Sequence, residues 1–338
     1  MTISLGLMMF PALMILIFIG FPVAFSLFGV AVLFGYIRFG DVLVHQLIAK
    51  VDDVASYYVL SAVPLFIFMG CMLEKSGVSE KLFEAVHLVT RKLPGGLAIA
   101  TVVLCVFFAA ASGVVGAAES VVGLMVISVM LRHGYDKGLI SGTICAGGSL
   151  GTIIPPSVVV VILSPIAGVG VGNLFVGIMF PGLILAGLYI VYILLRCSIW
   201  PEDGPSVDNG ESYGSIASQT WVVFSSLVPL FGLIFSVLGT IMLGWATPTE
   251  AGAMGAIGTI ILTILYRTFT WVLLKDAFLK ALRVTAMIMA ILLGGMMFAS
   301  IFVALGGLGV VRDFFQTANL SVWPVSYTHL RAHETLPY

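Results

Sequence analysis

The sequence predicts an all-α, polytopic integral membrane protein, and three observations predict it. Of its 338 residues, 60% are hydrophobic and only 9% are charged, against about 25% charge in a soluble domain. The mean hydropathy is +1.16. The apolar residues come in long continuous runs, where a transmembrane barrel would show period-2 alternation. The net charge of −1 and the lack of a basic cluster point to no nucleic-acid partner. The four cysteines, Cys71, Cys105, Cys145 and Cys197, are scattered and form no CxxC, so neither a zinc site nor a disulfide framework is indicated.

Taken in order, Ile3–Ile19 lacks a preceding basic region and reads as a retained first span. Val23–Ile37 is a second apolar run after Gly20-Phe21-Pro22. Asp41–Tyr58 is amphipathic and suits the interface, and Val59–Leu73 is apolar. Val78–Lys92 places Val78, Leu82, Val86 and Val89 on one face and charged residues on the other, a second interfacial candidate. Leu97–Ala111 is apolar. Val121–Leu131 reads as a half-span, because a crossing needs about 20 residues. Ser141–Ser157 (SGTICAGGSLGTIIPPS) cannot be a plain helix. Its glycines loosen the backbone, and Pro155-Pro156 ends any helix near Ile153. Val158–Ala167 is again short, and Leu174–Leu195 is a full span containing Pro181. Cys197–Gln219 is the longest polar stretch and reads as a linker. Trp221–Leu243 is a span, Gly244–Ala253 a second broken stretch, and Gly255–Tyr266 apolar. Arg267–Arg283 is basic and amphipathic, Val284–Leu305 is a span, and Gly306–Trp323 resembles another interfacial segment.

The halves match at a constant offset. Tyr36 pairs with Tyr266, Phe39 with Phe269, Lys50 with Lys280, Phe68 with Phe298, Gly77 with Gly307 and Pro94 with Pro324. An internal repeat in a membrane protein indicates a pseudo-symmetric transporter with its site at the repeat interface. The expected organisation is a first repeat over residues 1–196, a linker over 197–219 and an incomplete second repeat over 220–325. Residues 326–338 are polar and unpatterned, like translated adapter read-through, and are expected to be non-native. On repeat logic, roughly a hundred residues, including a second half-site, would follow Pro324 in a complete chain.

Three constellations could carry chemistry. The first is Ser112, Gly113, Glu119 and Ser120, where a span breaks as in a re-entrant hairpin. Hydroxyls and freed carbonyls are hard oxygen ligands for Na⁺, although small residues also serve close helix packing. Glu119 is an ionisable group between apolar pieces, which marks function unless the hairpin tip reaches water. The second is Gly147, Gly148, Ser149, Gly151, Thr152, Pro155 and Pro156. Broken backbone inside a bilayer must be shielded or line a polar cavity, and half-helix ends suit a cation or an anion. The third is Thr247, Pro248, Thr249 and Glu250, a second break that is equally well read as an N-terminal helix cap. The histidines sit in polar contexts, and no Ser–His–Asp order or HExxH occurs. No enzymatic activity, no cofactor and no haem ligation are expected.

GGSLGTIIPPS at Gly147–Ser157, followed by ATPTEAGA at Ala246–Ala253, resembles the large membrane subunit (DctM, or M type) of tripartite ATP-independent periplasmic (TRAP) transporters. The resemblance runs from about Ser4 to Pro324. It implies an inverted-repeat, elevator-type secondary transporter with re-entrant hairpins and interfacial arm helices, in the bacterial inner membrane. It further implies coupling to Na⁺, held around Ser112, Gly147 and Thr152. The implied partners are a small membrane subunit of the Q (DctQ) type and an extracytoplasmic solute-binding protein of the P (DctP) type. The implied substrates are organic anions, mainly carboxylates. The family's first hairpin tip falls on Ser112-Gly113, its double-proline break on Gly147–Pro156 and its TPTE element on Thr247–Glu250. That tip is usually rich in Ser, Ala and Thr; here Glu119 adds negative charge beside the expected site. A stand-alone sodium- or proton-coupled carboxylate symporter is the alternative reading.

Overall fold

The computed structural model describes residues 2–112, 115–206 and 216–317, and these are helical with no strand among them. The helices are α1 (Thr2–Ile19), α2 (Val23–Phe39), α3 (Val42–Ser56), α4 (Ala62–Glu74), α5 (Val78–Thr90), α6 (Gly96–Ser112), α7 (Val115–Arg132) and α8 (Lys137–Ser149). There follow α9 (Val158–Ala167), α10 (Val171–Ile199), α11 (Ile216–Ile234), α12 (Thr240–Met242), α13 (Pro248–Leu265), α14 (Trp271–Ala304) and α15 (Gly307–Thr317). Among the described residues, four helical segments are long and apolar enough to cross a membrane: Val171–Ile199, Val223–Met242, Pro248–Leu265 and Trp271–Ala304. A fifth candidate arises if Val42–Ser56 and Tyr58–Glu74 are counted as one span.

Three elements differ from the sequence reading. The half-span expected at Val121–Leu131 is an 18-residue helix, α7, that begins at Val115. Alanine is the best helix former and no proline intervenes, so the segment containing Ala117 and Ala118 extends the helix backwards. The amphipathic Arg267–Arg283 and the span Val284–Leu305 are largely one helix, α14, because Lys275–Arg283 is built of good helix formers without Gly or Pro. The stretch read as a linker from Cys197 is ordered at its start. Helix α10 runs on to Ile199, Cys197 is fully buried, and residues 200–204 are held by backbone bonds from Gly95 N–H to Gly204 C=O (2.9 Å) and from Asp136 N–H to Asp203 C=O (3.0 Å).

The chain divides into two compact units, one of residues 1–58 with 284–338 and one of residues 59–283. In the first, Met9, Leu13, Val30, Phe34, Phe298 and Ile301 form the core. Phe10 meets Phe298 and Phe302 edge-on at 5.4 and 5.2 Å, the geometry aromatic quadrupoles favour. The second unit is built around α6. Leu97, Ala98, Ala100, Val102, Leu104 and Cys105 are all 0% exposed, as expected of a helix that is apolar on every side. Helices α4, α5, α7, α8, α10 and α11 all pack on it. Helices α4 and α13 pack along a small-residue seam, where a side chain added at Gly252 would meet Leu65 Cβ at 3.0 Å. Small residues let helix backbones approach closely where no hydrophobic drive exists between helices.

Candidate functional site

The double proline decides the local geometry. Asp136 caps α8 by accepting from Leu139 N–H at 2.9 Å. The helix then runs through Gly147 and Gly148, both buried, to Ser149. It tightens to a 3₁₀ turn at Leu150–Thr152. Pro155 has no N–H to offer and keeps Ile154 out of the α region. The Pro155–Pro156 bond is cis, and α9 starts afresh from Ser157 in extended conformation (φ −99°, ψ 125°). The break therefore falls where the sequence puts it. The correction concerns Gly147 and Gly148, which are helical residues and do not form part of the broken backbone.

Their absent side chains let two neighbours in. A Cβ on Gly147 would stand 2.8 Å from Cys105 Sγ of α6. A Cβ on Gly148 would overlap Glu119 of α7, with the carboxyl carbon and Oε1 each at 2.7 Å. Glu119 is half-buried and lies across the glycine surface of α8, one turn before the break. On the far side, Gly182 of α10 takes up Ile153 and Ile154, whose side chains would meet an added Cβ at 3.1 Å. Glycine at 147 and 148 lets α8 pack closely on α6 and α7, and glycine at 182 lets α10 receive the turn that follows α8.

The polar groups at the break are partly committed. Ser149 Oγ donates to Ala146 C=O at 2.7 Å, and Thr152 Oγ1 donates to Ser149 C=O at 2.8 Å. Ile153 and Ile154 N–H both donate to Leu150 C=O, at 3.0 and 2.7 Å. A hydroxyl that donates keeps two lone pairs, and a bonded carbonyl keeps one, so oxygen ligands for a hard cation remain. Thr152 is exposed, while Gly151, Pro155 and Pro156 are buried. Across the break, Ser157 is 0% exposed, and its hydroxyl has no hydrogen-bond partner among the described residues. It stands at the N-terminus of α9, whose first N–H groups have no acceptor within the helix. The carbonyl end of α8 and the N–H end of α9 thus flank one buried break, and Glu119 lies against α8 at Gly148, shortly before it. Ser157 is the residue that sequence reasoning passed over, although an N-cap serine directly after a proline pair was a visible signal.

Of the remaining expected residues, Ser120 is exposed on α7. Gly113 lies outside the described residues, as does the side chain of Ser112. Thr247–Glu250 form a capping box. Thr247 Oγ1 accepts from Glu250 N–H at 3.3 Å, and Glu250 Oε2 accepts from Thr247 N–H at 2.7 Å and from its hydroxyl at 2.8 Å. Pro248 occupies the first helical position, where a missing N–H costs nothing. Thr249 Oγ1 lies 3.2 Å from Ser61 Oγ at the start of α4. The structure therefore assigns Glu250 to the helix cap. Thr247→Ala is expected to lower stability by about 1 kcal/mol. Glu250→Gln, which can still reach back to the Thr247 N–H, is expected to change neither the unfolding midpoint nor activity. A large loss of activity in Glu250→Gln at unchanged stability would return the carboxylate to the functional site.

A family model described as "Tripartite ATP-independent periplasmic transporter, DctM component" matches residues 10–325. The chain is 32% identical over 261 residues to the C4-dicarboxylate TRAP transporter large permease protein DctM of Pseudomonas aeruginosa, covering 76% of this chain and 59% of that protein. It is 34% identical over 242 residues to the protein of the same name from Vibrio cholerae, covering 71% and 51%. It is 29% identical over 287 residues to the isethionate TRAP transporter permease protein DctMQ of Oleidesulfovibrio alaskensis, covering 84% and 44%. The chain thus spans between half and three-fifths of the length of the first two.

Proposed function

The chain belongs to the DctM component family of tripartite ATP-independent periplasmic transporters, and from that premise we propose that it is the large permease subunit of a sodium-coupled importer of organic acid anions in the bacterial inner membrane. It is a transporter subunit in this reading, and not an enzyme. Its partners are a small Q-type membrane subunit and an extracytoplasmic solute-binding protein. The name DctMQ of the isethionate relative supports pairing with a Q-type subunit. The C4-dicarboxylate relatives support carboxylates as the substrate class.

The observation that carries this reading is the helix break between α8 and α9. Na⁺ binds oxygens near the end of α8, with Gly147 C=O, Thr152 Oγ1 and Ser112 as candidate ligands. The substrate carboxylate meets the N–H end of α9 and the Ser157 hydroxyl, since helix N-termini attract anions. Glu119 offsets the cation and limits how much negative charge the site accepts, which favours one carboxylate over two at the break. Helices α6 and α7 form the hairpin that carries Ser112 and Glu119, and it moves together with α8 and α9 in an elevator-type movement. The repeat reading is supported by helix boundaries: α3 starts at Val42 and α4 ends at Glu74, while α14 runs from Trp271 to Ala304, close to the 230-residue offset at both ends.

The test is uptake into proteoliposomes by the permease reconstituted with its small subunit and binding protein. Import is expected to collapse when the inward sodium gradient is dissipated, and to fall in Ser157→Ala with a raised substrate requirement. Uptake that continues undiminished without a sodium gradient would remove the coupling. Coupling also requires each ligand to raise the other's affinity by the same factor, which sodium titrations at two substrate concentrations would measure.

A further inference from the structure

Towards the N-terminal end of α8, a cavity of about 290 Å³ opens between α6, α8 and α10. Gly138, Gly142 and Ala146 line it from one face of α8. Small residues alone would indicate only a packing seam, and two further observations point to a ligand. Thr143 lines the cavity and is 4% exposed, yet its Oγ1 has no hydrogen-bond partner among the described residues. A buried helical threonine normally returns its hydroxyl proton to the carbonyl one turn back, as Thr101 does to Leu97 at 2.8 Å. The second observation is Arg196, which lines both this cavity and an adjoining, more open one of about 540 Å³ that includes Trp200 and Asp203.

Arg196 Nε donates to Asp203 Oδ2 at 2.9 Å, and Nη1 donates to the Tyr192 hydroxyl at 3.1 Å. Nη2 stands 4.0 Å from Asp136 Oδ1. A guanidinium has five N–H groups, so Nη hydrogens remain for a phosphate, the anion its planar fork fits best. One cation between two carboxylates leaves a local surplus of negative charge. A purely anionic head group would meet that surplus, whereas one carrying both phosphate and a primary ammonium satisfies the arginine and the aspartates together. Choline would not, having no N–H to donate. The depth is also suitable. Helix α10 has 29 residues and rises about 44 Å at ~1.5 Å per residue, against a hydrocarbon core of about 30 Å. Arg196 and Trp200 close its C-terminal end, where basic and aromatic residues sit at the head-group level.

We infer that this groove binds a zwitterionic aminophospholipid. Its phosphate lies on Arg196, its ammonium on Asp203 and Asp136, and a glycerol ester carbonyl accepts from the Thr143 hydroxyl once that side chain turns into the groove. One acyl chain lies over Gly138, Gly142 and Ala146. The site is separate from the break between α8 and α9 and requires only that the chain reside in a bilayer.

The experiment is native mass spectrometry of the protein taken from vesicles of equal phosphatidylethanolamine, phosphatidylglycerol and phosphatidylcholine. Phosphatidylethanolamine is expected to be retained over each of the others by about tenfold, the equivalent of ~1.4 kcal/mol. Asp203→Asn should erase the preference over phosphatidylglycerol, and Arg196→Gln should lose both phospholipids. Gly142→Leu should empty the groove without lowering the unfolding midpoint, because a Cβ at Gly142 meets nothing within 4 Å and leucine favours the helix over glycine. Preferential retention of phosphatidylglycerol, or ethanolamine lipid retained equally in Asp203→Asn, would overturn the proposal. So would a groove that retains no lipid and in which Gly142→Leu instead breaks association with a second membrane subunit.

Discussion

Gly148→Ala is expected to destabilise the protein and to cut uptake at least about tenfold, a change of ~1.4 kcal/mol. Two effects of opposite sign compete. Alanine favours the helix over glycine by roughly 1 kcal/mol, and Gly148 lies inside α8. Against this, the new methyl would fall on the side chain of Glu119, whose Cδ and Oε1 are each 2.7 Å from its position. Overpacking a fitted contact costs about 1–3 kcal/mol, so the clash outweighs propensity. It can be relieved only by lifting Glu119 off α8, which displaces the carboxylate that lies against α8 just before the helix break. Gly142→Ala on the same helix is the control, since its Cβ meets nothing within 4 Å; it should stabilise modestly. Glu119→Ala combined with Gly148→Ala should restore stability but not transport, with a coupling energy above about 1 kcal/mol. Equal, additive effects at positions 142 and 148 would show that Glu119 does not rest on Gly148.

What the sequence made legible is what local chemistry determines. The break at Pro155-Pro156 follows from a missing N–H and one restricted neighbour. The cap at Thr247–Glu250 follows from a hydroxyl and a carboxylate three residues apart. Neither needs a partner from elsewhere in the chain. The pairing of Glu119 with Gly148 does, because it depends on the rotation and register with which α7 packs against α8. For that reason Gly147 and Gly148 read as helix breakers in the sequence, while in the fold they are helical positions that leave room for Cys105 and Glu119. The 197–204 segment has the same origin. Its composition is that of a linker, and its order comes from two backbone hydrogen bonds to Gly95 and Asp136, which composition does not report.

Gly95→Ala is expected to be the more damaging glycine substitution, because here both terms have the same sign. Gly95 has φ +69°, a conformation that costs a residue with a side chain roughly 1 kcal/mol or more. An added Cβ would also lie 2.7 Å from Ile193 Cγ2 and 2.8 Å from Cys197 Sγ. Cys197 has a short, fully buried side chain and cannot swing away, so a further 1–3 kcal/mol of overpacking is expected. Gly134→Ala isolates the first term, since Gly134 has φ +76° but nothing within 4 Å of its Cβ position. The difference between the two unfolding midpoints therefore measures the packing at Gly95. The same contact has a consequence at the lipid groove. Gly95 N–H holds Gly204 C=O, and Asp136 N–H holds Asp203 C=O, so the substitution that pushes Cys197 away also loosens the carboxylate beside Arg196. Gly95→Ala should thus weaken the preference for ethanolamine lipid while Gly134→Ala leaves it intact. Identical midpoints for the two variants would show that residues 200–204 are not anchored through Gly95.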